Sequence, residues 1–216
     1  MADLFARLAK IWKSPRFRIV FWAAFTGVLF GVTEVGLPLE DIAVNGRTML
    51  RSHPSDGQIV IVLQDERTLQ ELGTYDITRG QDATTVRNLF ASGAKRVFFD
   101  RTLAYINEDK GTNAFIDTLK ANQGRIFLGA LPSSDGAHGN YAGMVPAAAF
   151  RANVDVVSLL ALNHPFNLSM SLPFASDSPI GKIPGLAARI AGVSGSIDRV
   201  FRPDYSIDHT TIPTVS

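Results

Sequence analysis

The chain has 216 residues, enough for one globular domain with a full core and a short appendage, and short for two domains. Its 21 Lys+Arg against 20 Asp+Glu leave a net charge of +1, which points to neither nucleic acid nor an acidic partner. It has no cysteine, which excludes disulfides, thiolate metal sites and a cysteine nucleophile and suits cytosol and periplasm equally.

The first element in chain order is the uncharged run "IVFWAAFTGVLFGV", Ile19 to Val32. A helix from about Phe17 to Leu37 would rise roughly 30 Å, the thickness of a bilayer's hydrocarbon. Arg7, Lys10, Lys13, Arg16 and Arg18 precede it against Asp3 alone, so the positive-inside rule keeps the N-terminus cytoplasmic and exports the rest. A cleaved signal peptide would need a small-x-small site, and none follows Val32 before Pro38. A buried core helix would show a polar stripe, which this run lacks. The expected organisation is therefore a cytoplasmic N-terminus at 1–16, a transmembrane anchor at 17–38 and one extracytoplasmic domain at 39–216. Glu34, near the outer end of the span, can reach the interface.

"EDIAVNGRTMLRSHP" then reads as a helix that Pro54 stops, resting on the domain and joining it to the anchor. "QIVIVLQD" is continuously apolar, the pattern of a strand buried on both faces. "ERTLQELG" follows as a short helix, with Asp65 at the N-cap and Gly73 at the C-cap. "TYDITRGQ" reads as a loop. Val86, Leu89 and Phe90 recur at helical spacing from Asp82, and Gly93 ends that helix before the strand "KRVFFD". A loop over 101–111 leads to a helix bearing Phe115, Ile116 and Leu119, and "RIFLGAL" is the next strand. Alternating strands and helices imply right-handed crossovers: an α/β fold, its parallel or mixed sheet carrying helices on its faces, preceded by one transmembrane helix. Beyond Pro132, "SSDGAHGNYAG" reads as a loop, "PAAAF" as a short helix and "NVDVVSLLAL" as a strand. A helix starts at Pro184 and stops at Gly192, and edge strands follow.

These pieces in this order resemble the second type of CHASE domain, an extracytoplasmic sensor of bacterial receptors. The resemblance runs from about Leu39 to Phe150 and is most specific at "IVIVLQDERTLQELG" and "SGAKRVFFD". It implies that Asp65 and Arg67 match the family's acidic strand end and the helix turn after it. Arg79 matches its arginine before the second helix, and Asp100 its second strand-end aspartate. Asn113 stands where the family usually has an acidic residue, and a later "D-G-V-x-R" turn has no clear counterpart after Asp155.

Ligands bind open parallel sheets outside the carboxyl ends of the strands, the edge on which Asp65 and Asp100 would lie. There they could hold a ligand or an oxygen-ligated divalent ion, with Arg67 and Arg79 recognising carboxylate or phosphate. The plainer alternative is that Asp65 caps the helix after it, and that Asp100 holds its loop or pairs with Arg79. No G-x-S-x-G elbow, Walker loop, G-x-G-x-x-G or paired-histidine motif is present, so no catalytic residue, metal ligand or cofactor is assigned.

The resulting expectation is a receptor's sensory domain without catalysis of its own, anchored in the inner membrane by a single pass. The main domain is periplasmic or extracellular and meets a small ligand or a physical stimulus. It works as a homodimer, binds no nucleic acid, and has an output such as a nucleotide cyclase, diguanylate cyclase or histidine kinase outside this chain. The competing class is an exported, membrane-tethered enzyme using Asp65 and Asp100 with a metal. The stop at Ser216, within what reads as a continuing strand, favours a third class, a receptor lacking its output.

Overall fold

A computed structural model describes residues 12, 14–33, 36–73, 76–106, 111–133, 143–162 and 170–216. The chain divides into two compact units, one whose described part runs to Ser52 and one that begins at His53.

The first unit holds α1, Pro15–Thr33, and α2, Leu37–Leu50. None of the window Pro15–Val32 is buried, and α1 rises about 28 Å, long and apolar enough to cross a membrane. Phe17, Phe21 and Phe25 stack one turn apart along one side, with ring centroids 6.3 Å apart at each step. The helix expected from Phe17 to Leu37 starts two residues earlier and is described as far as Thr33, residues 34 and 35 lying outside the described ones. Pro38, in the first turn of α2, suits a helix start, where its missing N–H costs no hydrogen bond. The second helix closes at Leu50, ahead of Pro54 rather than against it.

The second unit opens with β1, His53–Pro54, and β2, Ile61–Val62. There follow α3, Glu66–Leu72; α4, Arg79–Ala91; β3, Val97–Phe99; α5, Thr112–Ala121; β4, Ile126–Ala130; α6, Ala148–Arg151; and β5, Asp155–Ser158. The unit continues through β6, Leu172–Pro173; β7, Ala175–Ser178; β8, Gly181–Pro184; and α7, Leu186–Ala191. It closes with β9, Val200–Phe201; β10, Ile207–Asp208; a 3-10 turn at His209–Thr211; and β11, Thr214–Val215.

At its centre β3, β4 and β5 form a parallel sheet in that order, with Phe98 level with Phe127 and Phe127 level with Asp155. All five residues of β4 are buried, as a central parallel strand requires. One sheet face carries Ile126, Leu128, Val97 and Phe99 against Ala83 and Val86 of α4, Phe115 and Leu119 of α5, and Phe150 of α6. Period-two alternation in the strands meets the helical spacing of α4 and α5 there, so this face is the core. On the opposite face Phe98 stacks on Phe127 at 4.5 Å, and the guanidinium groups of Arg96 and Arg189 lie over those rings.

Around this sheet the strands pair in twos. The hairpin β7–β8 joins the sheet through a parallel bridge between Ser158 and Gly185, where the buried Ser158 and Ser176 hydroxyls bond at 3.0 Å. β6 pairs antiparallel with β9, while β1 runs parallel to β10 and β2 to β11. The fold is thus α/β with mixed sheets behind one apolar helix, as expected.

The expected burial of the first long apolar strand is overturned. The "IVIVL" run is a strand only at Ile61–Val62 and is not buried on either face: Ile59, Val60, Ile61, Val62 and Leu63 are all exposed. Among the described residues its strand partner is the two-residue β11, and the ribbon they make stays partly open to solvent. The loop expected at "SSDGAHGNYAG" falls mostly outside the described residues.

Candidate ligand-binding site

Asp65 ends the chain's extended run and caps α3. Its backbone is extended, and its carboxylate accepts from the Thr68 amide and the Thr68 hydroxyl, both at 2.9 Å. Gly73 closes the helix in the left-handed conformation, φ 64°, which a side chain rarely adopts. The Thr68 amide bond, followed by its hydroxyl bond, holds the Asp65 carboxyl below its ordinary value of 3.8. A depressed carboxyl stabilises the fold only when ionised, so its contribution is complete above pH 3.8 and is lost as the pH falls through the lowered value. Unfolding followed from pH 7 to pH 2 should show this acid-side loss in the native chain, and Asp65→Asn should flatten it.

Arg67, on the first turn of α3, points to solvent and pairs with Glu71 at 3.0 Å. Both side chains are mostly exposed, so water screens this pair and it contributes little.

Arg79 is the first residue of α4, inside a capping box that the sequence reading took for loop. The Thr78 hydroxyl accepts from the Gln81 amide while the Gln81 side chain accepts from the Thr78 amide, 2.8 Å away. This turn aims Arg79 inward. Its Nη1 donates to Asp82 Oδ2 at 2.7 Å, and its guanidinium lies over the Phe150 ring. Asp82, only 1% exposed, also binds Arg101 through its other oxygen, and Arg101 lies over Phe99. One buried carboxylate thus holds the start of α4 to the loop after β3. Beside it Gly80 and Gly111 meet backbone to backbone, so close that a Cβ on Gly111 would overlap Gly80.

Asp100 closes β3 with an exposed carboxylate and, among the described residues, has no ion-pair partner. Arg79 pairs with Asp82 instead, and it is Arg101, one residue on, that turns onto the same carboxylate. Nor are Asp65 and Asp100 set on paired strands, since β2 pairs with β11 and β3 with β4. Sequence reading missed Asp82 and Arg101. A signal was available for Asp82, a charged residue beside Ala83 on the apolar side of a helix, three positions after an arginine.

A cleft of about 470 Å³ opens between α3 and the first turns of α4, lined by Thr68, Leu72, Thr78, Gln81, Thr84 and Thr85. Most of its polar wall is already engaged: Thr68 donates to Asp65, Thr78 to Gln81, and Thr84 to the Gly80 carbonyl. The hydroxyl lone pairs and the Gln81 amide suit a small polar ligand better than bond-making chemistry. Among the described residues no group of three or more His, Asp or Glu side chains could hold a metal ion.

Fold and site together define an α/β domain that follows one apolar helix in the chain, with Asp65 spent on a cap and Arg67, Arg79, Asp82 and Arg101 on ion pairs. The chain belongs to the CHASE2 domain family, whose model matches residues 19–204. This is a family of extracytoplasmic sensor domains of receptors, not of catalytic ones. No curated protein and no solved structure matches the chain.

Proposed function

We propose that the chain is the membrane-anchored, extracytoplasmic sensory part of a bacterial signal-transduction receptor, with the output, a cyclase or a kinase, outside it. Membership of the sensor family over residues 19–204 carries this reading, and the uncovered apolar helix Pro15–Val32 supports the anchoring. The N-terminus stays in the cytoplasm and the domain from 39 onward faces the periplasm or the exterior. A small ligand or a physical stimulus biases two arrangements of the domain, and a homodimer passes that bias through α2 to α1. For a ligand, the region around Asp65, Arg67, Arg79 and Asp100 is the proposed site. The cleft supports this, because its wall includes Thr68, bonded to Asp65, and Gly80, next to Arg79.

Topology reporters fused after Ser216 test the reading. Alkaline phosphatase at that point should be active, and green fluorescent protein routed through the general export pathway should stay dark. The reverse pattern would place the domain in the cytoplasm and end the extracytoplasmic reading.

A further inference from the structure

The segment that follows α2 is held in an unusual way. Residues 53–63 run beside residues 206–215 in two short parallel ladders, with His53 level with Ile207 and Ile61 level with Thr214. Beside the bonds within these two-residue ladders, His53 N–H donates to Ser206 at 2.9 Å, Ile61 N–H to Pro213 at 2.9 Å and Leu63 N–H to Val215 at 2.8 Å. Two side chains add to them. The Thr211 hydroxyl accepts from the Ser55 amide at 2.7 Å, and the Ser206 hydroxyl meets His53 Nε2 at 3.4 Å.

Parallel pairs are ordinarily buried on both faces, because their slanted bonds are individually weaker and need layers above and below. Here every residue of β1, β2 and β11 is partly open to solvent, Ile61 at 41% and Val62 at 39%, while β4 in the same unit is wholly buried. A two-stranded ribbon without a covered face is marginal in water. Opening it breaks a handful of bonds and uncovers side chains that are already partly exposed, so it costs less than unfolding the buried β3–β5 core.

We propose that residues 206–215 are a releasable strap on residues 53–63, giving the connection between α2 and the core a clasped and a released state. The strap is a conformational device at the point where the chain passes from its helical N-terminal unit into the α/β unit. It stands apart from the sensory reading, since a domain that sensed nothing would still open there.

Hydrogen exchange on the full chain in lipid nanodiscs tests it. The His53 and Leu63 amides should exchange at least about tenfold faster than those of β4, at a rate that low denaturant leaves unchanged, the mark of local opening. Joining Ile61→Cys to Thr214→Cys should then slow both amides at least about tenfold on oxidation and restore them on reduction. Those positions face each other across one strand spacing of about 4.8 Å, within disulfide reach. The native chain has no cysteine to compete. Exchange as slow as in β4 would overturn the proposal, as would an effect of oxidation confined to the linked residues. Protection that rises with protein concentration would overturn it too, by showing that a second copy covers the ribbon.

Discussion

Asp82→Ala is expected to lower the unfolding free energy by about 3–5 kcal/mol, because it removes the buried carboxylate that both Arg79 and Arg101 bind. For a chain of this size that corresponds to a fall of roughly 6–20 °C in the melting temperature. The geometry ranks the three partners. Asp82 is 1% exposed, the Arg79 side chain 12% and the Arg101 side chain 36%. Removing Arg101 leaves Asp82 still bonded to Arg79 and removes a charge that water already reaches, so Arg101→Ala should cost clearly less than Asp82→Ala. Asp82→Asn separates charge from shape, since it keeps the side chain's outline and one acceptor while losing the ionic attraction. Chemical denaturation of the three variants checks the order. An Asp82→Ala protein within about 0.5 kcal/mol of the parent would mean that the cluster does not hold α4 to the loop after β3.

Phe115→Ala is the second large effect, at about 3–5 kcal/mol for a fully buried aromatic. Phe115 has no exposed surface and sits at the centre of the core cluster. Its ring meets Phe99 edge-on at 5.9 Å and Phe150 edge-on at 5.4 Å, so truncation also removes two aromatic contacts of about 0.5–1.5 kcal/mol each, already counted in that total. Because Phe99 belongs to the sheet, Phe115 to α5 and Phe150 to α6, the loss falls on the joint between three elements. Phe115→Leu refills most of the volume and should recover more than half of the loss. If thermal and denaturant melts of Phe115→Ala and the parent coincide, the packing of that joint does not limit stability.

The strength of these two effects reflects what sequence could and could not reveal. Asp65 and Gly73 bracket α3 with residues whose side chain or backbone freedom explains both ends, and the structure places the helix between them. The strands at Val97–Phe99 and Ile126–Ala130 and the spacing of Phe115 and Leu119 were legible for the same reason: each is a local pattern with a local physical cause. Burial of "IVIVL" was not legible. A continuous apolar run reads the same whether layers cover it or not, and only the pairing with Thr214–Val215 decides. The start of α4 was hidden differently, since Thr78 and Gln81 spell a capping box but Gly80 and the lack of apolar residues suggested a loop. The hairpin at 175–184 has no period to find, only a turn ending at Gly181, φ 96°. At the site, strand-end position singled out Asp65 and Asp100, whereas the residues most tightly bound together are Arg79, Asp82 and Arg101. Which arginine reaches which aspartate is set by packing, not by spacing.

The ladders that join the two ends of the second unit also impose an order on its birth. β3, α5, β4, α6 and β5 lie in unbroken succession, so the central sheet can assemble as soon as its own stretch of chain has emerged. Ser55 must wait for Thr211, 156 positions later, which at ordinary rates of synthesis is about 8–30 s. For that interval five consecutive apolar residues, Ile59 to Leu63, stand without even their one strand partner. Uncharged runs of this kind are what chaperones hold and what aggregates start from. Asp56 and Asp65 sit on either side of the run, placing a negative charge near each end of a stretch that nascent chains would otherwise share with one another.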